Sequence, residues 1–294
     1  MAQLNDEALR AYAAAGEMVR AVKGRLGARI SAGAGRLELA TFVEDEIVRL
    51  GGRPAFPCNI SVNQIASHST PTPDDRRTLA QGDLVKFDLG AIVDGYIADS
   101  AITLAVETDD CAHLIRAAEQ ALADALAVVR PGVGVGEIGQ VIEASARKNG
   151  YRVLKGLYGH SLERDCLHGG LTIPNYDDGS HKKIHEGDVI AIEPFLTSGS
   201  GEVLRQSGGD IFQLVRRSGL LTGEREKKLL SCIERNYNGF PFARRWLPDP
   251  DALEGLLGPA IVMEFPMLVE KDGARVAQAE HTAIVGGDGC TIIT

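Results

Sequence analysis

Two aspartates stand inside an apolar, β-rich stretch that covers residues 84–106. The dipeptide Asp94–Gly95 at the centre of this stretch is typical of a two-residue turn between antiparallel strands. A turn at that position places Asp88 directly opposite Ala101, and Asp99 lies two residues from Ala101 on the same face of the sheet. The sequence therefore predicts that the carboxylates of Asp88 and Asp99 are diagonal neighbours on one hairpin.

Two carboxylates that share an apolar sheet repel each other and lose hydration. Three arrangements would relieve this conflict: one carboxyl group is protonated, both groups are paired with cations such as Lys86 or exposed at a sheet edge, or both bind a metal ion. The aspartates alone leave these three arrangements open. Further residues that can bind metals change the balance between them.

Three other residues offer metal-binding side chains in or beside strand-like sequence. Glu193 ends a segment, Gly-Asp followed by four residues and a carboxylate, that repeats the pattern ending at Asp88. Glu280 lies within the β-like run 277–285, and His160 follows a glycine. Each has a plain structural explanation when taken singly, as an acid at a strand end or a histidine in a loop. Together, four carboxylates and one imidazole suit two divalent ions such as Mn, Fe, Co or Zn, which would activate a water or hydroxide for hydrolysis.

The elements that must hold these residues follow a plan that occurs twice. Helical periodicity covers residues 5–24 and 37–50, and strand-like segments follow to about residue 105. Helices are predicted again over 109–130 and 136–148, with further strand-like segments after them. The two Gly-Asp patterns are 105 residues apart, close to the spacing of the helices. We expect an α+β fold of two duplicated halves, each with two helices and an antiparallel sheet, although Gly-Asp before a strand also occurs by coincidence.

Residues 210–262 interrupt the second half with polar, helix-favouring sequence that carries apolar positions of its own, such as Leu229, Leu230 and Ile233. This pattern predicts an inserted helical subdomain within a single catalytic domain that spans residues 1–294. No low-complexity tract marks a linker.

Composition limits the classes of function. The net charge of −9, from 31 basic and 40 acidic residues, argues against a nucleic-acid-binding surface. The sequence lacks a run of 18 apolar residues, so we expect no membrane span. Five widely spaced cysteines and an acidic segment over residues 1–7 favour a reducing cytoplasm over secretion.

The candidate ligands, in the order in which they occur, resemble the metal ligands of methionine aminopeptidases and their pita-bread relatives. The resemblance is carried by four motifs: KFDLGAIVDGYIADSAIT, GHSLERDCLHGG, AIEPF and QAEHT. The insertion before Glu280 and the eight-residue step from His160 to His168 are similar to the type II subfamily in its short archaeal form. The resemblance implies the pita-bread fold and the removal of N-terminal methionine from nascent polypeptides that have a small second residue.

The resemblance also implies a role for each matched residue. Asp88 and Asp99 would hold one ion, with Asp99 bridging; His160 and Glu193 would complete the second site, and Glu280 would bridge. His68 matches a histidine that contacts substrate, assists proton transfer and is alkylated by fumagillin-like epoxides. His168 matches one that hydrogen-bonds the scissile amide or the tetrahedral intermediate. Phe56 and Leu167 match walls of the methionine pocket. Phe265 replaces an expected tyrosine, and the segment Gln206–Asp210 receives no role.

The implied cofactors are two divalent ions, Co, Mn, Fe or Zn, and the implied partners are the N-termini of nascent chains. A cytoplasmic monomer is expected, with no nucleic acid or membrane partner, and ribosome association is left open. Two other readings of the same fold compete: a proline-directed peptidase, and a non-catalytic relative that binds proteins or ribosomes. A metal-storage role is a further alternative.

Overall fold

The computed structural model describes residues 4–215, 223–257 and 261–294. Residues 1–3, which belong to the acidic segment used to predict a cytoplasmic location, lie outside the described residues. So do two parts of the predicted insertion, residues 216–222 and 258–260. Within the described ranges, no helix is both long enough and apolar enough to cross a membrane.

The first half begins with two amphipathic helices, as predicted. The side chain of Asn5 accepts a hydrogen bond from the backbone N–H of Ala8 at 2.8 Å and so caps the first helix. The elements of this half are α1 (Asp6–Leu26), α2 (Arg36–Arg49), β1 (Arg53–Pro54), β2 (Asn59–Val62), β3 (Ile65–Ser67), β4 (Leu84–Val93) and β5 (Tyr96–Ala105). The buried face of α1 packs against β4 and β5, and that of α2 packs against α1, β1 and β2, in one hydrophobic core.

Strands β4 and β5 form the predicted hairpin. Asp94 and Gly95 both have positive φ, 51° and 87°, as a type I′ turn requires. Asp88 is paired with Ala101, which confirms the predicted register. The other edge of β4 pairs with β1 near one end and with β2 near the other.

The second half repeats the order of two helices and then strands, and its buried residues form a second hydrophobic core. Its first elements are α3 (Ala112–Val128), α4 (Val135–Lys148), β6 (Arg152–Val153), β7 (Tyr158–Ser161), β8 (Thr172–Pro174), β9 (Val189–Ile192), β10 (Phe195–Thr197) and β11 (Val203–Gln206). Four strands after the insertion complete it: β15 (Met267–Glu270), β16 (Val276–Gln278), β17 (His281–Val285) and β18 (Cys290–Ile292).

The segment predicted as a helical insertion contains strands as well as helices. Its elements are β12 (Ile211–Leu214), α5 (Glu224–Asn236), β13 (Phe242–Ala243), α6 (Glu254–Leu257) and β14 (Val262–Glu264). The three strands form a sheet of their own with β12 in the centre. A separate apolar cluster that includes Phe212, Ile233 and Leu253 lies beneath it. Strands of two to four residues are too short to show an alternating pattern, which is why helix dominated the prediction. The division into a subdomain stays a prediction.

Two ladders of the second half share one register. In the pairing of β9 with β17, Ile192 lies opposite His281, and in the pairing of β10 with β16, Phe195 lies opposite Gln278. Because the register is the same on both sides of the gap, Glu193 and Glu280 face each other where the two ladders meet.

Candidate metal centre and active site

All five predicted metal ligands converge between the two halves. Asp88 and Asp99 come from β4 and β5, whereas the other three come from β7 or from the gap between the ladders; the set is Asp88, Asp99, His160, Glu193 and Glu280. The Nε2 atom of His160 lies 3.6 Å from Oδ2 of Asp99 and 3.7 Å from Oε1 of Glu193. One ligand atom each of Asp99, His160 and Glu280 fit within 4.8 Å of one another. The five residues, which are far apart in the sequence, therefore form one cluster in space.

Side chains from the second half fix the position of the first-half ligand Asp99. The hydroxyl of Thr282 accepts a hydrogen bond from the backbone N–H of Asp99 at 2.9 Å and donates to its carbonyl at 2.7 Å. The hydroxyl of Ser100 donates to the carbonyl of Glu280. These bonds tie β5 to the start of β17, so the relative position of Asp99 and Glu280 is set by the backbone.

Burial and mutual repulsion disfavour the ionised form of all four acids. Burial raises the pKa of Asp88 to about 7, despite a hydrogen bond from Gln278 that acts in the opposite direction. Burial raises the pKa of Asp99 well above its usual range, and the nearby Asp88 raises it further. The pKa values of Glu193 and Glu280 are raised in the same way, first by burial and then by the neighbouring carboxylates. Such a cluster needs a compensating positive charge if it is to be ionised at neutral pH.

Protein cations supply little of that charge: Lys23 lowers the pKa of Asp99 and Glu280, but by less than burial raises it. Lys86 is fully buried on the strand that carries Asp88, but its amine donates to the carbonyls of Asn63 and Val276, each at 2.9 Å. Within the described ranges, no lysine or arginine forms an ion pair with Asp88 or Asp99. The salt-bridged arrangement that the sequence left open is therefore not the one adopted.

The donor set fits divalent metal ions. Oδ1 of Asp88 and Oδ1 of Asp99 are buried and have no hydrogen-bond partner in the described part of the chain, so both are available as ligands. Burial lowers the pKa of His160 to about 3, which keeps its imidazole neutral. Its Nδ1 donates to the carbonyl of Ser161 at 3.4 Å and leaves the Nε2 lone pair directed at the acids. Oxygen donors with one imidazole suit borderline and hard divalent ions.

The two predicted active-site histidines lie beside this cluster. His68 is half-buried, has a φ of 60°, and donates from Nδ1 to the carbonyl of Pro266 at 3.1 Å. Burial lowers the pKa of His68 to about 4. His168 is exposed, and its ring lies 4.4 Å from that of His160. Both rings line the same small cavity as the five ligands, with a volume of about 70 Å³.

The apolar wall of this cavity differs in part from the prediction. Phe56 lines it as expected, and Phe265 lies edge-on to His68 with 5.3 Å between ring centroids. Leu167 instead packs into the first hydrophobic core while its neighbour His168 faces the cavity, so Leu167 is not part of the observed lining. Ile211 and Pro241, from the predicted insertion, complete the apolar wall.

Several residues of the site were missed from the sequence. The amide of Gln278 lies 3.4 Å from Oδ2 of Asp88 and 3.3 Å from Oε2 of Glu280, so it links acids of the two halves. Its position two residues before Glu280 in the QAEHT motif was an available signal. Asn59 also lines the cavity. In the unassigned segment Gln206–Asp210, Gly209 packs against the backbone of His68. A Cβ atom at Gly209 would lie only 2.1 Å from the carbonyl oxygen of His68.

Comparisons with known proteins agree with this geometry. Residues 10–217 match the model of metallopeptidase family M24. A methionine aminopeptidase from Methanothermobacter thermautotrophicus is 43% identical over 97% of this chain and 98% of its own length. The structure of a methionine aminopeptidase from Thermotoga maritima, 22% identical, superposes with a TM-score of 0.74 over 100% of this chain and 99% of that one. A thermophilic Arx1, 16% identical, superposes with a TM-score of 0.84 over 99% and 91%. The architecture is the pita-bread fold.

Proposed function

Because the chain belongs to metallopeptidase family M24, and within it to the methionine aminopeptidases, we propose that it removes the N-terminal methionine from polypeptides whose second residue is small. Nascent polypeptides are the proposed physiological substrates. The observation that carries the proposal is the cluster of four buried or partly buried acids and one neutral imidazole beside a small, partly apolar cavity. Monomeric state, cytoplasmic location and ribosome association stay predictions.

The donor set supports a centre of two divalent ions, with Co, Mn, Fe and Zn as candidates. Asp88 and Asp99 would hold one ion and His160 and Glu193 the other, with Asp99 and Glu280 shared between them. When bound, such ions lower the pKa of water and polarise a carbonyl group, which is the chemistry that amide hydrolysis needs.

The chain's own side chains would bind the substrate and move protons. The neutral ring of His68 can accept a proton or a hydrogen bond, and His168, which lines the same cavity, would hydrogen-bond the scissile amide or the tetrahedral intermediate. Glu193 lies within the cluster and could carry a proton from water to the leaving amine. Phe56 supplies an apolar surface for an unbranched thioether. A crowded rim beside the reacting bond would favour Ala, Gly, Ser, Thr, Pro, Val or Cys as the second residue.

The test is release of methionine from Met-Ala-Ser by protein stripped of metal and then supplied with Mn or Co. We expect activity only after metal is added, and much slower release from Met-Phe-Ser. Asp88→Asn should lower activity at least about 100-fold, since it removes a charged ligand. Full activity in rigorously metal-free protein would contradict the metal centre. Faster cleavage of Xaa-Pro dipeptides than of Met-Ala-Ser would instead favour the proline-directed reading.

A further inference from the structure

The amide of Asn59 presents an unused hydrogen-bond acceptor at the candidate active site. Asn59 is 4% exposed and lines the cavity that contains the five candidate ligands. Its Oδ1 atom is buried and has no hydrogen-bond partner among the residues that the structure describes. A buried carbonyl oxygen without a donor is unfavourable, and native structures rarely keep one without a reason. The position of this oxygen at a binding cavity suggests that a ligand supplies the donor.

The orientation of this amide is fixed before a ligand arrives. Its Nδ2 donates to the carbonyl of Pro57 at 3.0 Å, and because a carbonyl only accepts, the amide cannot exchange its oxygen for its nitrogen. The backbone of Cys58 is held on both sides, since its N–H donates to Glu44 at 3.0 Å and its carbonyl accepts from Thr70 at 2.7 Å. Oδ1 of Asn59 is therefore a preorganised acceptor, which lowers the entropy lost on binding.

The neighbours of Asn59 define the kind of donor that it faces. In the ladder of β2 and β4, Asn59 lies directly opposite Asp88, so the two side chains stand next to each other on the same face. Oδ1 of Asp88 is likewise buried and without a hydrogen-bond partner in the described part of the chain. The side chain of Asn59 thus stands at the anionic side of the cavity, where a cationic or strongly polarised N–H group is favoured.

A substrate that begins with methionine has two N–H groups near the reacting bond, the α-amino group and the scissile amide. Under the proposed function, on which this inference rests, His168 bonds the scissile amide. We propose that Oδ1 of Asn59 accepts a hydrogen bond from the α-amino group of the substrate's first residue. Asn59 is then a substrate-binding residue that makes a free amino terminus a condition of tight binding.

The test compares two ligands that differ only in the amino group: L-methionine and 4-(methylsulfanyl)butanoate. Their affinities are measured by calorimetry on metal-loaded wild type, Asn59→Leu and Asn59→Asp. We expect Asn59→Leu to weaken binding of methionine about 10- to 100-fold and that of the butanoate less than about threefold, because one hydrogen bond to a charged donor is lost. Asn59→Asp keeps an acceptor oxygen and should keep the preference for methionine. Metal content, measured by elemental analysis, should be the same in all three proteins.

Ser61→Ala provides a matched control. Ser61 is buried two residues along the same face of β2, its hydroxyl also has no partner in the described part of the chain, and it does not line the cavity. This variant should bind both ligands as wild type does. Equal weakening of both ligands in Asn59→Leu, loss of metal, or wild-type affinity for methionine would each overturn the proposal. Failure of the proposed function is a separate result, because wild-type protein would then not release methionine from Met-Ala-Ser.

Discussion

The buried acid Glu280 illustrates how function and stability oppose each other at one residue. Burial and the neighbouring carboxylates raise its pKa, so its ionised form destabilises the metal-free fold. This destabilisation starts to decline as the pH falls below the raised pKa, and it is lost below the pKa of the unfolded chain. We expect Glu280→Gln to stabilise metal-free protein by about 1–3 kcal/mol at pH 8 and by much less at pH 5. The same variant should lose most metal-dependent activity. Chemical denaturation at the two pH values measures the difference.

Glu270→Gln is the matched control for that experiment. Glu270 is as deeply buried as Glu280, but its carboxylate accepts hydrogen bonds from the backbone N–H groups of Asp272 and Ala274 and from Ser200. Its replacement should therefore destabilise the protein. If Glu280→Gln destabilised metal-free protein as Glu270→Gln does, burial and repulsion of the carboxylates in the cluster would not be destabilising the fold.

His68 permits a test of protonation at a single residue. Burial lowers its pKa to about 4, and the bond from Nδ1 to Pro266 leaves Nε2 as the nucleophilic nitrogen. A fumagillin-like epoxide should therefore label His68 at nearly equal rates at pH 7.5 and pH 5.5, whereas a histidine of pKa 6.5 would slow about tenfold. Mass spectrometry of peptides from metal-loaded protein locates the adduct, with His68→Asn as the control. Labelling of His168, or a tenfold loss of rate at pH 5.5, would show that the role or the protonation state is misassigned.

At the scale of elements, a glycine on strand β4, Gly90, leaves the space that the ring of Phe56 occupies. A Cβ atom at Gly90 would lie 2.7 Å from the ring of Phe56 and 3.1 Å from the carbonyl oxygen of Ala98. We expect Gly90→Ala to displace Phe56, to destabilise the protein by about 1–3 kcal/mol, and to raise KM for methionine peptides. Gly24→Ala, on an open surface of α1 with no atom within 4 Å, should instead be neutral or stabilise by up to about 1 kcal/mol. Equal effects of the two changes on KM would contradict this role of Gly90.

Elements also show what the sequence can and cannot predict. The hairpin of β4 and β5 was predictable because a local Asp-Gly turn determines its register, and with it the pairing of Asp88 with Ala101. The bond of Gln278 to Asp88 joins segments 190 residues apart, a contact that no local pattern encodes. Leu167 was expected in the pocket wall; it packs into the first core, whereas the next residue, His168, lines the cavity.

At the scale of the whole molecule, the candidate centre joins the two halves. Asp88 and Asp99 belong to the hairpin of the first half. His160 lies on β7 of the second half, and Glu193 and Glu280 lie in the gap between its two ladders. Each of the two main hydrophobic cores is built mostly from one half. Repulsion among the four acids therefore acts across the boundary between the halves, and bound cations would convert it into attraction.

Metal loading should for this reason stabilise both halves together. At a metal concentration of about 100 times Kd, each bound ion adds about 2.7 kcal/mol to the free energy of unfolding. For a chain of this size we expect a rise in Tm of at least about 5 °C when Mn or Co is added to metal-free protein. Hydrogen exchange should slow in β5 of the first half and in β9 and β17 of the second, because all three flank the ligands. Asp88→Asn, which lacks one ligand from the first half, should show a smaller rise in Tm. Protection confined to one half would mean that the ions bind there alone and that the centre does not join the two halves.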